Sequence, residues 1–87
     1  LSVGDIPVPY FPFIIGKQEG IVDHVLKRPT VSRLHLRIDW EEGEYKITDL
    51  NSSNGTVVAG KCLEANESCL VNSGDKVQIA DLPFVFY

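Results

Sequence analysis

Two short polar clusters, Ser32-Arg33-Leu34-His35 and Asp49-Leu50-Asn51-Ser52-Ser53-Asn54-Gly55-Thr56, interrupt a chain that otherwise alternates apolar and polar residues. They concentrate hydroxyls, amides and one guanidinium where the alternation breaks. Donors of these types, converging with at least one fixed positive charge among them, suit a phosphate-like oxyanion better than a core. Lys17, Ser32, Arg33, Ser53 and Asn54 supply that set. Each also has a plainer use. Ser32 can close the turn begun by Arg28-Pro29-Thr30-Val31, and Asn54-Gly55 can be an ordinary hairpin turn. His35 reads as a buried, hydrogen-bonded support rather than an acid or base, and Asp49 as a loop holder that accepts backbone N–H bonds.

The elements that must position these residues read as strands. From Ser32 to Trp40, Leu34, Leu36, Ile38 and Trp40 fall on one face and Arg33, His35, Arg37 and Asp39 on the other, the signature of a half-buried antiparallel strand. Glu41-Glu42-Gly43-Glu44 then breaks the pattern before Tyr45, Ile47 and Thr48 resume it, which predicts a hairpin. Further strands are expected over 13–15, 21–26, 56–58, 61–63, 68–71, 76–79 and 84–86, separated by Gly16, Gly20, Gly60, Gly74 and Pro83. Pro7, Pro9 and Pro12 make residues 1–10 an extended lead-in or an edge strand, because proline cannot donate to a ladder. No stretch of about eleven residues carries a 3.6-residue apolar period, so helix is absent or limited to one turn. The expected fold is an all-β antiparallel sandwich of roughly 10–11 short strands.

Composition bounds the function. Eighty-seven residues, 44% of them hydrophobic, make a single domain with one core, and no apolar run approaches the roughly 18 residues that span a membrane. The chain starts at Leu1 and ends in Phe84-Val85-Phe86-Tyr87, which suggests a domain cut from a longer protein. A net charge of −4 argues against nucleic acid as a partner. Residues 17–37 nevertheless hold five basic residues (Lys17, Lys27, Arg28, Arg33, Arg37) against Glu19 and Asp23, while the remainder holds three basic and ten acidic. A local positive field on an acidic body suits one or two phosphates. Lys27 and Arg28 either steer an anionic peptide or are merely solvated. Cys62 and Cys69, with His24 and His35 as the only imidazoles, match no disulfide framework or zinc spacing, so no metal or cofactor is expected and the cysteines read as reduced. The three Asn-x-Ser/Thr triplets at Asn51, Asn54 and Asn66 read as turn chemistry.

Gly16-Lys17, Ser32-Arg33-Leu34-His35, Asp49 to Thr56 and Ser73-Gly74-Asp75-Lys76-Val77-Gln78-Ile79 occur in the order and rough spacing of a forkhead-associated (FHA) domain. The chain resembles that family over about residues 11–87. The resemblance implies a β-sandwich whose loops at one end bind phosphothreonine in a partner protein. Ser32 would then donate its hydroxyl to the phosphate, with Arg33 beside it. Ser53 would touch the phosphate from the facing loop, and Asn54 would hydrogen-bond the peptide main chain. Thr30, two residues before Ser32, occupies a place from which relatives select the residue three past the phosphothreonine. Gly16, His35, Asp49 and Gly55 would support the site. Two positions depart from the pattern: Lys17 stands where the family usually has arginine, and Ala59 where it usually has asparagine. The lysine keeps the charge but loses the two-donor fork, which predicts weaker binding.

The expected function is therefore a cytoplasmic, monomeric phosphothreonine-peptide-binding module without catalysis, cofactor, nucleic acid or membrane contact. The alternatives are a scaffold of the same fold that no longer reads phosphate, and an enzyme acting on phosphoesters. The sequence offers the enzyme no nucleophile elbow, Gly-rich phosphate loop or metal-ligand set.

Overall fold

The computed structural model describes all of residues 1–87. It contains eleven strands and no helix: β1 (Ser2–Val3), β2 (Ile6–Pro7), β3 (Phe13–Gly16), β4 (His24–Val25), β5 (Leu36–Glu41), β6 (Glu44–Asp49), β7 (Thr56–Val58), β8 (Lys61–Cys62), β9 (Ser68–Val71), β10 (Lys76–Ile79) and β11 (Leu82–Val85). A five-stranded sheet in the order β4-β3-β5-β6-β9 faces a four-stranded sheet in the order β11-β10-β7-β8, and β1 pairs with β2 in a small ribbon.

The sandwich forms because alternate residues of both sheets turn inward. Ile15, Leu36, Ile38, Ile47 and Ile79 are fully buried, with Val58, Val71, Val77 and Phe86 beside them. Burying one such aliphatic side chain contributes roughly 1.5–3 kcal/mol. The hairpin expected at Glu41-Glu42-Gly43-Glu44 joins β5 to β6, pairing Leu36 with Asp49 and Glu41 with Glu44 at its two ends. Residues 1–10 do more than lead in. Val3, Ile6 and Val8 enter the core, and β1 is bonded to the last residues of the chain, with Ser2 N–H donating to Tyr87 O at 3.1 Å and Tyr87 N–H to Ser2 O at 2.9 Å.

Four expectations change. The strand drawn from Ser32 begins instead at Leu36, and Ser32–His35 is loop. Leu34 is accordingly 40% exposed, and His35, which the alternation alone would put on the outer face, is fully buried. Trp40 keeps its phase in β5 but lies at the sheet's end and is half exposed. Ladder pairing is antiparallel except between β3 and β4, which run parallel with Ile15 beside His24 and Gly16 beside Val25. Only two residues of the 21–26 stretch are strand; the chain crosses the end of the sheet to reach them. Asp23 pins that crossing, exchanging two bonds of 2.8 Å with Ile14, one through its N–H and one through its carboxylate. Gly16 and Pro83 are not separators: Gly16 ends β3, and Pro83 lies within edge strand β11, where its missing N–H costs no ladder bond.

Candidate functional site

Three connections meet at one end of the sandwich: β3–β4, β4–β5 and β6–β7. Their meeting depends on Gly16. A Cβ built there would lie 2.0 Å from the carbonyl oxygen of Arg33, so only glycine lets β3 approach the β4–β5 loop this closely. That approach is fixed by Lys17 N–H, which donates to both Ser32 O and Arg33 O at 3.0 Å, and by His35 N–H, which donates to Ile15 O at 3.0 Å.

His35 joins the second and third connections. Its Nδ1 accepts the Ser32 N–H at 3.0 Å, and its Nε2 lies 2.8 Å from Gly55 O. A ring nitrogen that accepts from a backbone amide carries no proton, so the ring is the neutral Nε2–H tautomer donating to Gly55. Leu50 N–H donates to the His35 carbonyl at 2.9 Å, adding a backbone tie between the same loops. Gly55 takes a φ of 87°, a left-handed conformation that costs a side-chain-bearing residue more than glycine.

Asp49 organises the β6–β7 loop from within. Its carboxylate, 2% exposed, accepts the Ser52 N–H at 3.0 Å and the hydroxyls of Ser52 and Thr56. Ser52 Oγ in turn accepts the Gly55 N–H at 3.0 Å. The two loops then meet directly: Ser53 N–H donates to Ser32 Oγ at 2.9 Å, and Asn54 Nδ2 donates to Thr30 O at 2.7 Å.

Between these loops lies a groove of about 530 Å³ bordered by Lys17, Thr30, Ser32, Arg33, Ser53 and Asn54. All six residues singled out for binding thus share one surface, and no carboxylate lines it. Of the five basic residues in the 17–37 stretch, Lys27 pairs with Glu19 and Arg37 with Asp39, whereas Lys17, Arg28 and Arg33 form no ion pair. The charge asymmetry of the sequence therefore contracts to two unneutralised cations in the groove and a third in the same loop. Ser32 Oγ accepts one bond and keeps its own proton to donate. Asn54 spends one amide hydrogen on Thr30, leaving a second hydrogen and its carbonyl oxygen. The Thr30 hydroxyl is directed elsewhere, 2.6 Å from an Asp81 carboxylate oxygen.

A larger hollow of about 690 Å³ lies against the four-stranded sheet beside Gly4, Phe84 and Tyr87, and contains none of these residues. The sequence reading missed Gln18, Ile21, Leu34 and Asn51, which also border the groove, and Ser52, which completes the Asp49 network. Ser52 was marked by its place three residues after Asp49, the spacing of a side-chain-closed turn.

Comparison with known proteins bears on the fold and the family. A family model described as FHA domain matches residues 13–80. The chain belongs to the FHA family. Among curated relatives of this FHA domain, the glycogen accumulation regulator GarA of Mycolicibacterium smegmatis is 39% identical over 64 residues, covering 74% of this chain and 39% of GarA. The oxoglutarate dehydrogenase inhibitor of Corynebacterium efficiens is 38% identical over 64 residues, covering 74% of this chain and 43% of the inhibitor. The chain thus spans less than half the length of these relatives. Among solved structures, Mycobacterium tuberculosis EmbR in complex with a low-affinity phosphopeptide superposes with a TM-score of 0.83 at 31% identity, covering 95% of this chain and 23% of EmbR. The FhaA FHA domain, complexed with the intracellular domain of Rv3910, gives 0.79 at 25% identity, covering 97% of this chain and 93% of that one.

Proposed function

We propose that residues 1–87 act as one phosphothreonine-peptide-binding module, which recruits a phosphorylated partner through the groove between the β4–β5 and β6–β7 loops and catalyses nothing itself. The observation that carries this reading is the pair of unneutralised cations, Lys17 and Arg33, beside the Ser32 hydroxyl in a groove free of carboxylates. Phosphothreonine brings about −1.5 to −2 charges and three acceptor oxygens at neutral pH, and needs several converging donors. Lys17, Ser32, Arg33 and Ser53 would hold the phosphate, and the free amide atoms of Asn54 would hold the peptide backbone. Gly16, His35, Asp49 and Gly55 would fix the loops. EmbR, similar over nearly the whole chain, has been solved with a phosphopeptide, and the relatives named as a regulator and an inhibitor fit a non-catalytic role. Because threonine kinases act mainly in the cytosol, the module is assigned to that side of any membrane.

The test is binding of matched phosphorylated and unphosphorylated threonine peptides, drawn from an oriented library, to the wild type and to Ser32→Ala and Asn54→Ala. Phosphate-dependent binding that falls roughly tenfold with either substitution supports the reading. Equal binding of both peptide forms removes it and leaves a scaffold that does not read phosphate, for which the non-forked Lys17 is the one argument in the sequence.

A further inference from the structure

We infer that the Asn54–Gly55 step is a site of spontaneous deamidation, guarded by the fold, and that conversion of Asn54 to aspartate or isoaspartate switches the groove off. The second half rests on the phosphopeptide reading above. Asparagine followed by glycine is the pairing most open to this reaction, because glycine has no side chain to shield the nitrogen that attacks. The chain has asparagine at positions 51, 54, 66 and 72, and only Asn54 precedes glycine. There is also room for the reaction. A Cβ built on Gly55 would meet nothing within 4 Å, and Asn54 itself is exposed.

The reaction needs no partner but water. The Gly55 nitrogen, once it has lost its proton, bonds to Asn54 Cγ, and the Cγ–Nδ2 bond breaks as Nδ2 leaves with a proton as ammonia. Water then opens the succinimide ring. Cleavage between the Gly55 nitrogen and Cγ gives aspartate, and cleavage between that nitrogen and the main-chain carbonyl carbon gives isoaspartate. Two bonds of the folded chain oppose the first step. Gly55 N–H donates to Ser52 Oγ at 3.0 Å, which engages the attacking nitrogen, and Asn54 Nδ2 donates to Thr30 O at 2.7 Å, which holds the amide across the groove. Ser52 is itself pinned to the buried Asp49 carboxylate, so the guard belongs to the network that shapes the loop. Conversion therefore passes through openings of the β6–β7 connection. Its product does not suit the groove. A carboxylate at position 54 would set acceptor against acceptor at Thr30 O, and would bring a negative charge to a surface that no carboxylate lines and that is to receive a phosphate.

The experiment ages the 87-residue chain in mildly alkaline buffer, maps conversion by mass spectrometry of its proteolytic peptides, and follows binding of a phosphothreonine peptide in the same samples. Asn54 should convert before Asn51, Asn66 and Asn72. In Ser52→Ala, shown to be folded by its thermal melt, it should convert roughly fivefold faster, the gain in loop opening that one lost hydrogen bond brings. Phosphopeptide-binding capacity should decline in step with intact Asn54, and Asn54→Asp, made directly, should bind more than roughly tenfold more weakly than the wild type. The inference is overturned if another asparagine converts first, if Ser52→Ala leaves the rate unchanged, or if fully converted protein binds as fresh protein does. Fresh wild type that does not distinguish the phosphorylated from the unphosphorylated peptide is a distinct result. It removes the reading of the groove, and the switch with it, while the conversion is still read by mass.

Discussion

The Ser32 N–H and the His35 ring nitrogen Nδ1 lie 3.0 Å apart, so the residue bearing the candidate phosphate hydroxyl is held by an imidazole three positions later. The opposite ring nitrogen reaches Gly55 O at 2.8 Å. One fully buried side chain thus sets the spacing of both walls of the groove. Its side-chain hydrogen-bond partners are two backbone groups, which marks it as a positioning residue.

Replacing His35 by alanine removes both bonds and leaves a void. Gly55 O keeps the Ala80 N–H at 3.1 Å, but Ser32 N–H loses its only acceptor. Destabilisation of about 2–4 kcal/mol is expected from urea unfolding. Phosphopeptide affinity should fall even where the variant remains folded, and amide resonances of Ser32, Ser53 and Gly55 should broaden or shift together.

Gly16→Ala tests the close approach on which the site depends. The added methyl would meet backbone atoms of Arg33, at 2.0 Å from O and 2.8 Å from C, and neither is a side chain free to rotate away. A cost of roughly 3 kcal/mol or more is expected, at the upper end of overpacking effects. Thermal unfolding checks it. A melting temperature within a degree or two of the wild type would mean that β3 and the β4–β5 loop are not held together as described.

Much of the fold was legible because Leu36, Ile38, Tyr45 and Ile47 follow the two-residue period that a half-buried strand requires. The period misled at Ser32–His35, where it continues by coincidence. It cannot separate a solvent-facing histidine from one bound on both sides by backbone groups of Ser32 and Gly55, the latter twenty positions away. The parallel β3–β4 pairing was hidden for a similar reason: it depends on Asp23 engaging Ile14, a contact set by the path of a loop rather than by any local pattern. Within the site, the polar residues were visible because their types announce hydrogen bonding. Ile21 and Leu34 were invisible because apolar residues read as core until their exposure is known.

Acid should loosen the turn that backs the Asp49 loop. Glu67 accepts the Glu64 N–H at 2.8 Å and pairs with Lys61 at 3.0 Å, and these contacts, the backbone bond first, hold its carboxyl below the ordinary value of 4.5. A carboxylate depressed in the folded state contributes stability that is present above its unfolded value and lost as the pH falls through the folded one. The same turn bonds Asp49 on both sides, through Asn66 N–H to Asp49 O and Asp49 N–H to Glu67 O. The urea midpoint of the wild type should therefore decline below about pH 4.5, and more steeply than that of Glu67→Gln. Parallel curves for the two proteins would remove Glu67 as a contributor.

Lys17 decides how tightly the groove holds an anion. Its backbone is fixed by two carbonyls at 3.0 Å, while its ammonium is exposed and unpaired, so substitutions there change the charge presented without moving the chain. Lys17→Ala should weaken phosphothreonine-peptide binding by roughly tenfold or more, the value of a charge-assisted hydrogen bond. Lys17→Arg should tighten it severalfold, because a guanidinium meets phosphate with two donors in fixed geometry where an ammonium offers a mobile point charge. Fluorescence anisotropy at low and high salt separates contact from steering. If Lys17 touches the phosphate, the alanine variant loses affinity at both salt concentrations; if it only attracts the peptide from a distance, the loss disappears once the field is screened within roughly 3 Å at 1 M salt.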